Sequence, residues 1–145
     1  MKPVPLALLK GACLVIFLAG LMGAAAAFPA LAAPWALLLD LTQWPVDGVQ
    51  NVAASEARIL SAIAGGLTCG WSVMFYGLAA GPIARGDRDI RALAVVSVLT
   101  WFTVDSLASV AAGWPGNVVV NLVFAGMLLV PFLLDRSPST RPVTA

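Results

Sequence analysis

RALAVVSVLTWFTVDSLASVAAGWPGNVVVNLVFAGMLLVPFLL, residues 91–134, decides the fold. It holds two apolar runs, 91–112 and 117–134, separated only by Gly113-Trp114-Pro115-Gly116. As helices rising roughly 1.5 Å per residue, both runs can cross about 30 Å of hydrocarbon, the second being the shorter and thinner fit. A turn this short forces the two helices to be antiparallel neighbours. Hydrophobicity does not alternate with period two, so the runs do not read as barrel strands.

Two more apolar runs lie upstream, at 11–33 and 57–80. The chain has 145 residues, 61% hydrophobic and only 10% charged, with mean hydropathy +0.96. A soluble domain carries about 25% charged residues. So few charges cannot cover a water-facing surface, and the lipid bilayer is the expected surroundings. The expectation is an all-α, four-helix transmembrane bundle, one domain over residues 1–134. A polar, Pro-rich tail, 135–145, is expected to be disordered and cytoplasmic.

Positive charge sets the expected orientation. Lys2 and Lys10 precede the first run, Arg85, Arg88 and Arg91 lie between the second and third, and Arg136 and Arg141 follow the fourth. Arg58 alone falls on the opposite side. The positive-inside rule then places both termini in the cytoplasm of a multi-pass inner-membrane protein. Trp35, Trp44 and Trp114 fall on the outer side, where indole rings favour the interface. The first run has a rival reading as a cleaved signal peptide, with Ala30-Leu31-Ala32 as the cleavage site; its length favours a retained helix. Residues 35–44 read as a short interfacial helix lying over the bundle, stopped by Pro45 and the PVDG turn. Ser55 is positioned to cap the second span, with Glu56 in its first turn.

Small residues mark where helices can approach closely. Ala62, Gly66 and Gly70 form a small-xxx-small ridge on the second span, with Ser61 and Gly65 one residue earlier, and Ala19, Gly23 and Ala27 offer a complementary ridge on the first. The ridge suits packing within one bundle or a dimer face.

Asp105 sits inside apolar sequence. An ionised carboxylate deep in a bilayer costs roughly 2.5–3.5 kcal/mol on insertion scales. Ser109 shares its helical face at i+4, and Asn117 and Asn121 form a matching stripe on the next helix. With the hairpin centred near Trp114 and Pro115, Ser109 is expected level with Asn121, and Asp105 about one turn deeper. Arg58 is a candidate counter-ion. Two roles are open: a hydrogen-bonded pin that sets the hairpin register, or a proton, ion or small-molecule site.

The chain has no His, which removes the commonest general base and metal ligand. Cys13 and Cys69 have no metal-site or redox-motif spacing and read as buried small hydrophobes. No Gly-rich phosphate loop or nucleophile elbow is present. No enzyme activity, cofactor or metal is expected, and a net charge of +1 gives no basis for nucleic-acid binding.

Residues 101–132, with the pattern WFxVDSxxS followed by NxxxN, resemble a group of small bacterial four-span inner-membrane proteins, as does ILSAIAGGLTCGW at 59–71. The resemblance implies the fold and the membrane; it brings no substrate and no functional residues. The leading functional expectation is a non-enzymatic assembly or accessory subunit, with the bilayer and a homodimer or membrane-protein partner as its contacts. The alternative is a small ion- or proton-coupled transporter or channel using Asp105.

Overall fold

The computed structural model describes residues 1–135, which form helices and no strands. In chain order these are α1 (Pro3–Ala25), a 3-10 turn (Pro29–Leu31), α2 (Ala33–Gln43), α3 (Ser55–Leu78) running into a π-type turn (Ala79–Ile83), α4 (Arg88–Ala111) and α5 (Asn117–Leu134). Four of them, α1, α3 with its π turn, α4 and α5, are long and apolar enough to cross a membrane. The short α3–α4 and α4–α5 connections make those neighbours antiparallel, and Phe17 beside Cys69 and Lys10 beside Tyr76 show α1 antiparallel to α3, so one end of the bundle carries α2 and the other carries the N-terminus and the end of α5. Apart from Asp135, the segment read as a tail lies outside the described residues.

The boundaries follow from local chemistry. The sequence reading placed the first span at 11–33, but α1 runs over Pro3–Ala25. Prolines are tolerated in a first turn, where their missing N–H has no partner to lose. Lys10 therefore falls inside the helix, its ammonium 5.6 Å from the centre of the Tyr76 ring. Pro29 forces Phe28 into extended backbone and keeps α1 from running on. Ser55 is not a cap: Ala54 holds that position, and Ser55 donates to Glu56 at 3.0 Å from inside the helix. Pro82, which has no N–H to give, sits in the widened π turn that ends α3. Asp87 caps α4 by accepting from the Ile90 N–H at 3.0 Å. At the far end of α4 the Trp114 N–H reaches the Ser109 carbonyl and the Gly113 N–H reaches that of Val110. This Schellman ending needs the left-handed φ of +82° that Gly113 supplies, and it reverses the chain into α5 within a few residues.

Packing comes in two pairs. α1 lies along α3, α4 lies along α5, and α1 also packs on α5. Between α1 and α3 the backbones meet at two glycines, Gly20 and Gly65. A Cβ on Gly65 would stand 2.4 Å from the Gly20 carbonyl oxygen and 2.3 Å from the Ala24 nitrogen. The predicted ridge is displaced by one residue: Gly65 makes this contact, whereas a Cβ on Gly66 or Gly70 would meet nothing within 4 Å, and Ala62 is half-buried beside them. On α1 the partner is Gly20, and the predicted Gly23 packs instead under the Trp35 ring. Composition shows that small residues are frequent on α3; the rotation of the helix chooses which stripe faces inward.

The core is lopsided. Leu9, Ala12, Cys13 and Ile16 of α1 meet Phe75, Ala79 and Ile83, Ala94 and Val98 of α4, and Ala125 and Leu128 of α5. Apart from Ile16, which reaches the middle of the bundle, these side chains lie toward the end that carries the termini. That end is closed by a polar clasp: Arg91 forms an ion pair with the buried Asp135, the Lys2 N–H donates to Asp135 at 3.2 Å, and the N-terminal ammonium donates to the Ala84 carbonyl at 2.8 Å. Asp135 thus belongs to the bundle rather than to a tail. The outward faces are apolar, with Leu14, Leu18, Ile63, Leu67, Val104, Leu107, Val119 and Leu122 all exposed.

Gly65→Ala should destabilise the bundle by about 1–3 kcal/mol, because backbone on α1 cannot yield to the added methyl. Gly66→Ala should stay within about 0.5 kcal/mol of the parent. Denaturant unfolding of both variants in detergent micelles measures this, and equal effects would remove the assignment of the contact to Gly65.

Candidate functional site

The half of the bundle beneath α2 is hollow. A cavity of about 390 Å³ lies between the α1–α3 pair and the α4–α5 pair, with Trp35, Leu38, Leu39 and Thr42 of α2 over it. It falls within the size range of small-molecule sites. Its walls are mostly apolar and aromatic: Ile16, Ala19 and Gly20 from α1, Ala64, Gly65, Thr68 and Trp71 from α3, Trp101 and Ala112 from α4, and Val120 and Phe124 from α5. Asp105, Ser109, Asn117 and Asn121 contribute its polar side. Trp71 and Trp101 meet across the gap between α3 and α4, ring centres 5.8 Å apart.

Asp105 is half-buried, and three side-chain donors converge on its Oδ1: Ser109 Oγ at 3.1 Å, Asn117 Nδ2 at 3.0 Å and Asn121 Nδ2 at 2.9 Å. The network closes on itself, since Asn117 Nδ2 also donates to Ser109 Oγ at 2.9 Å and Asn121 Nδ2 to the buried Ser106 Oγ at 3.3 Å. No donor among the described residues reaches Oδ2. The helical spacing explains the convergence. Asp105 and Ser109 lie one turn apart on α4, Asn117 and Asn121 one turn apart on α5, and antiparallel packing sets the stripes face to face.

The register differs from the expected one by a turn. Asn117 pairs with Ser109, and Asn121 reaches Asp105 and Ser106. The Schellman ending brings α5 back sooner than a hairpin centred on Trp114 and Pro115 would allow. Sequence reading named Asp105, Ser109, Asn117 and Asn121, and the structure joins all four. It does not join the fifth: Arg58 is half-buried in the first turn of α3 and makes no ion pair with Asp105. The only ion pair among the described residues is Arg91–Asp135, at the opposite end.

Three features of this end were not legible as site features. Of the three tryptophans expected at the interface, Trp35 and Trp114 line the cavity and Trp44, 76% exposed, does not; Trp71 and Trp101, to which sequence alone gave no role, line it too. Asp40 is 3% exposed and accepts from the Asp47 and Gly48 N–H groups, tying α2 to the turn that follows it. The carbonyl of Thr42 lies where a Cβ on Gly116 would be, so α2 docks directly on the α4–α5 turn. Thr68 and Ser72 satisfy their hydroxyls on their own helix, donating to the Ala64 and Thr68 carbonyls at 2.8 Å. Cys69 Sγ lies 3.5 Å from the Phe17 carbonyl, and both cysteines are free. No cluster of three His, Cys, Asp or Glu occurs among the described residues.

No family model, curated protein or solved structure matches the chain.

A double-mutant cycle tests the network. Asp105→Ala and Asn121→Ala should couple by about 0.5–2 kcal/mol in unfolding free energy, the range of polar contacts between membrane helices. Asp105→Ala and Arg58→Ala should couple by about zero. A large second coupling would restore Arg58 as the counter-ion.

Proposed function

We propose that this is a small integral membrane protein of the bacterial inner membrane that binds a small solute in the cavity around Asp105, as an ion-coupled transporter or channel would. The observation that carries this reading is the cavity itself. A carboxylate that served only to pin a hairpin would be covered by packed side chains, whereas Asp105 borders about 390 Å³ of space walled by all five helices. Apolar outward faces and four helices of spanning length support the bilayer as solvent. The charge asymmetry supports cytoplasmic termini, because Lys2, Arg85, Arg88 and Arg91 cluster at the clasp end while Arg58 stands alone at the α2 end. The cavity then lies in the outer half of the membrane beneath α2. No reactive pair accompanies Asp105, so the reading is binding rather than catalysis.

Accessibility tests it. With Cys13 and Cys69 replaced by Ala and Ser, Val120→Cys on the cavity wall should react with a small, water-soluble thiosulfonate. Val119→Cys, 65% exposed on the outward face, should be shielded by lipid and stay unmodified. A Val120→Cys protein that resists the reagent in lipid nanodiscs would remove the proposed site.

A second reading, the accessory or assembly subunit, is favoured by the outward position of Gly66 and Gly70, which meet nothing inside the bundle. Such a stripe on a spanning helix suits a partner helix, including that of a second copy. Gly66→Leu with Gly70→Leu should then shift the oligomeric state seen by light scattering while leaving unfolding unchanged; an unaltered mass distribution would count against this reading.

A further inference from the structure

We infer that the ligand of the Asp105 cavity is a small organic cation carrying an aromatic or alkyl group, such as a quaternary ammonium. This rests on the solute-binding reading above and assigns the class of solute. Three observations converge on it. First, Asp105 has no positive partner among the described residues. Its three donors are neutral and all meet Oδ1, leaving Oδ2 free of protein donors. Arg91 is paired with Asp135 and Lys10 rests over Tyr76, both in the other half of the bundle. Second, the aromatic content of the cavity is that of a cation site. Four of the five tryptophans border it, and indole faces attract cations more strongly than any other side-chain ring. Trp101 stands one turn from Asp105 on the same face of α4 and meets Trp71 from α3, so carboxylate and indoles line one volume. Third, the α2 end is acidic: among the described residues it carries Asp40, Asp47, Glu56 and Asp105 against one cation, Arg58. That field draws cations toward the cavity and repels anions.

The donor set also separates an organic cation from a metal ion. Calcium requires six to eight oxygen ligands and magnesium an octahedral shell. Asp105 is the one carboxylate in a wall that is otherwise indole, phenyl, aliphatic carbon, hydroxyl and carboxamide. An ion that keeps its charge while burying carbon against indole suits those walls, and a bare ion that needs a full oxygen shell does not. α3 and α4 belong to different packed pairs, and between them the wall is the Trp71–Trp101 contact.

The test uses the full chain in lipid nanodiscs, with benzyltrimethylammonium as probe and neopentylbenzene, the same shape with carbon in place of the charged nitrogen, as control. Equilibrium dialysis against empty nanodiscs should show saturable binding of the cation. The cation should slow thiosulfonate modification of Val120→Cys at least tenfold, and the neutral analogue should be at least tenfold less effective. Asp105→Asn keeps the carboxamide-compatible shape and removes the charge; it should weaken cation binding tenfold or more. Trp101→Leu should weaken it and Trp101→Phe should restore part of it, which separates an aromatic contact from a loss of folding. Equal protection by the two probes would overturn the inference and leave an apolar binding site. Modification of Val120→Cys that neither probe slows would also overturn it, while the solute-binding reading stood. Failure of Val120→Cys to react at all would end both.

Discussion

A carboxylate inside an apolar bundle must be met by hydrogen-bond donors, and much of this structure can be traced to how Asp105 meets that demand. The donors come from two helices that a four-residue turn makes antiparallel, so satisfying the acid also fixes how far α5 slides along α4. Ser109, Asn117 and Asn121 spend their donors on one oxygen and on each other. A slip of one turn would leave a single carboxamide within reach of the acid and break the Asn117–Ser109 or the Asn121–Ser106 contact. The polar network therefore specifies register where apolar packing alone would leave it loose, because Val, Leu and Ala surfaces interdigitate nearly as well in neighbouring registers.

The two halves of the bundle use opposite strategies. Toward the termini, Leu9, Phe75, Ile83, Val98 and Leu128 fill the interior and a clasp of Arg91, Asp135 and the N-terminal backbone closes it. Toward α2, the side chains on the same helical stripes are Gly20, Gly65, Ala64 and the polar set, and they do not fill the space. Gly20 and Gly65 let α1 and α3 touch backbone to backbone, which holds that pair tightly while the α4–α5 pair stands off. A rigid half thus supports a hollow one, an arrangement in which a binding volume does not cost the fold its core.

α2 joins the two pairs over the hollow half. Its Trp35 ring packs on Gly23 of α1, and its Thr42 carbonyl presses on Gly116 between α4 and α5. Asp40 holds the following turn through two backbone N–H groups, so the segment leading to α3 is anchored at its start. Trp35 and Trp114 acquire a double role in this geometry: residues that interfacial preference would place at the membrane surface also wall the cavity.

Much was legible in the residues alone. Apolar runs of spanning length, their charge-marked ends and the four-residue turn at Gly113 to Gly116 determine an all-helical bundle, since helices are the way such runs satisfy their own backbone in an apolar medium. The i, i+4 spacing of Asp105 with Ser109 and of Asn117 with Asn121 determines that two polar stripes exist. Tertiary structure decided the rest. It rotated α3 so that Gly65, and not Gly66 or Gly70, meets α1, a choice of one residue that composition does not express. It set the register that pairs Asn117 with Ser109, placed Asp135 inside the clasp, and left Arg58 away from Asp105. It also gathered four tryptophans from four segments around one volume. Periodicity reports what lies on the same face of one helix; which faces meet, and what space remains between them, depends on the packing of all the helices together.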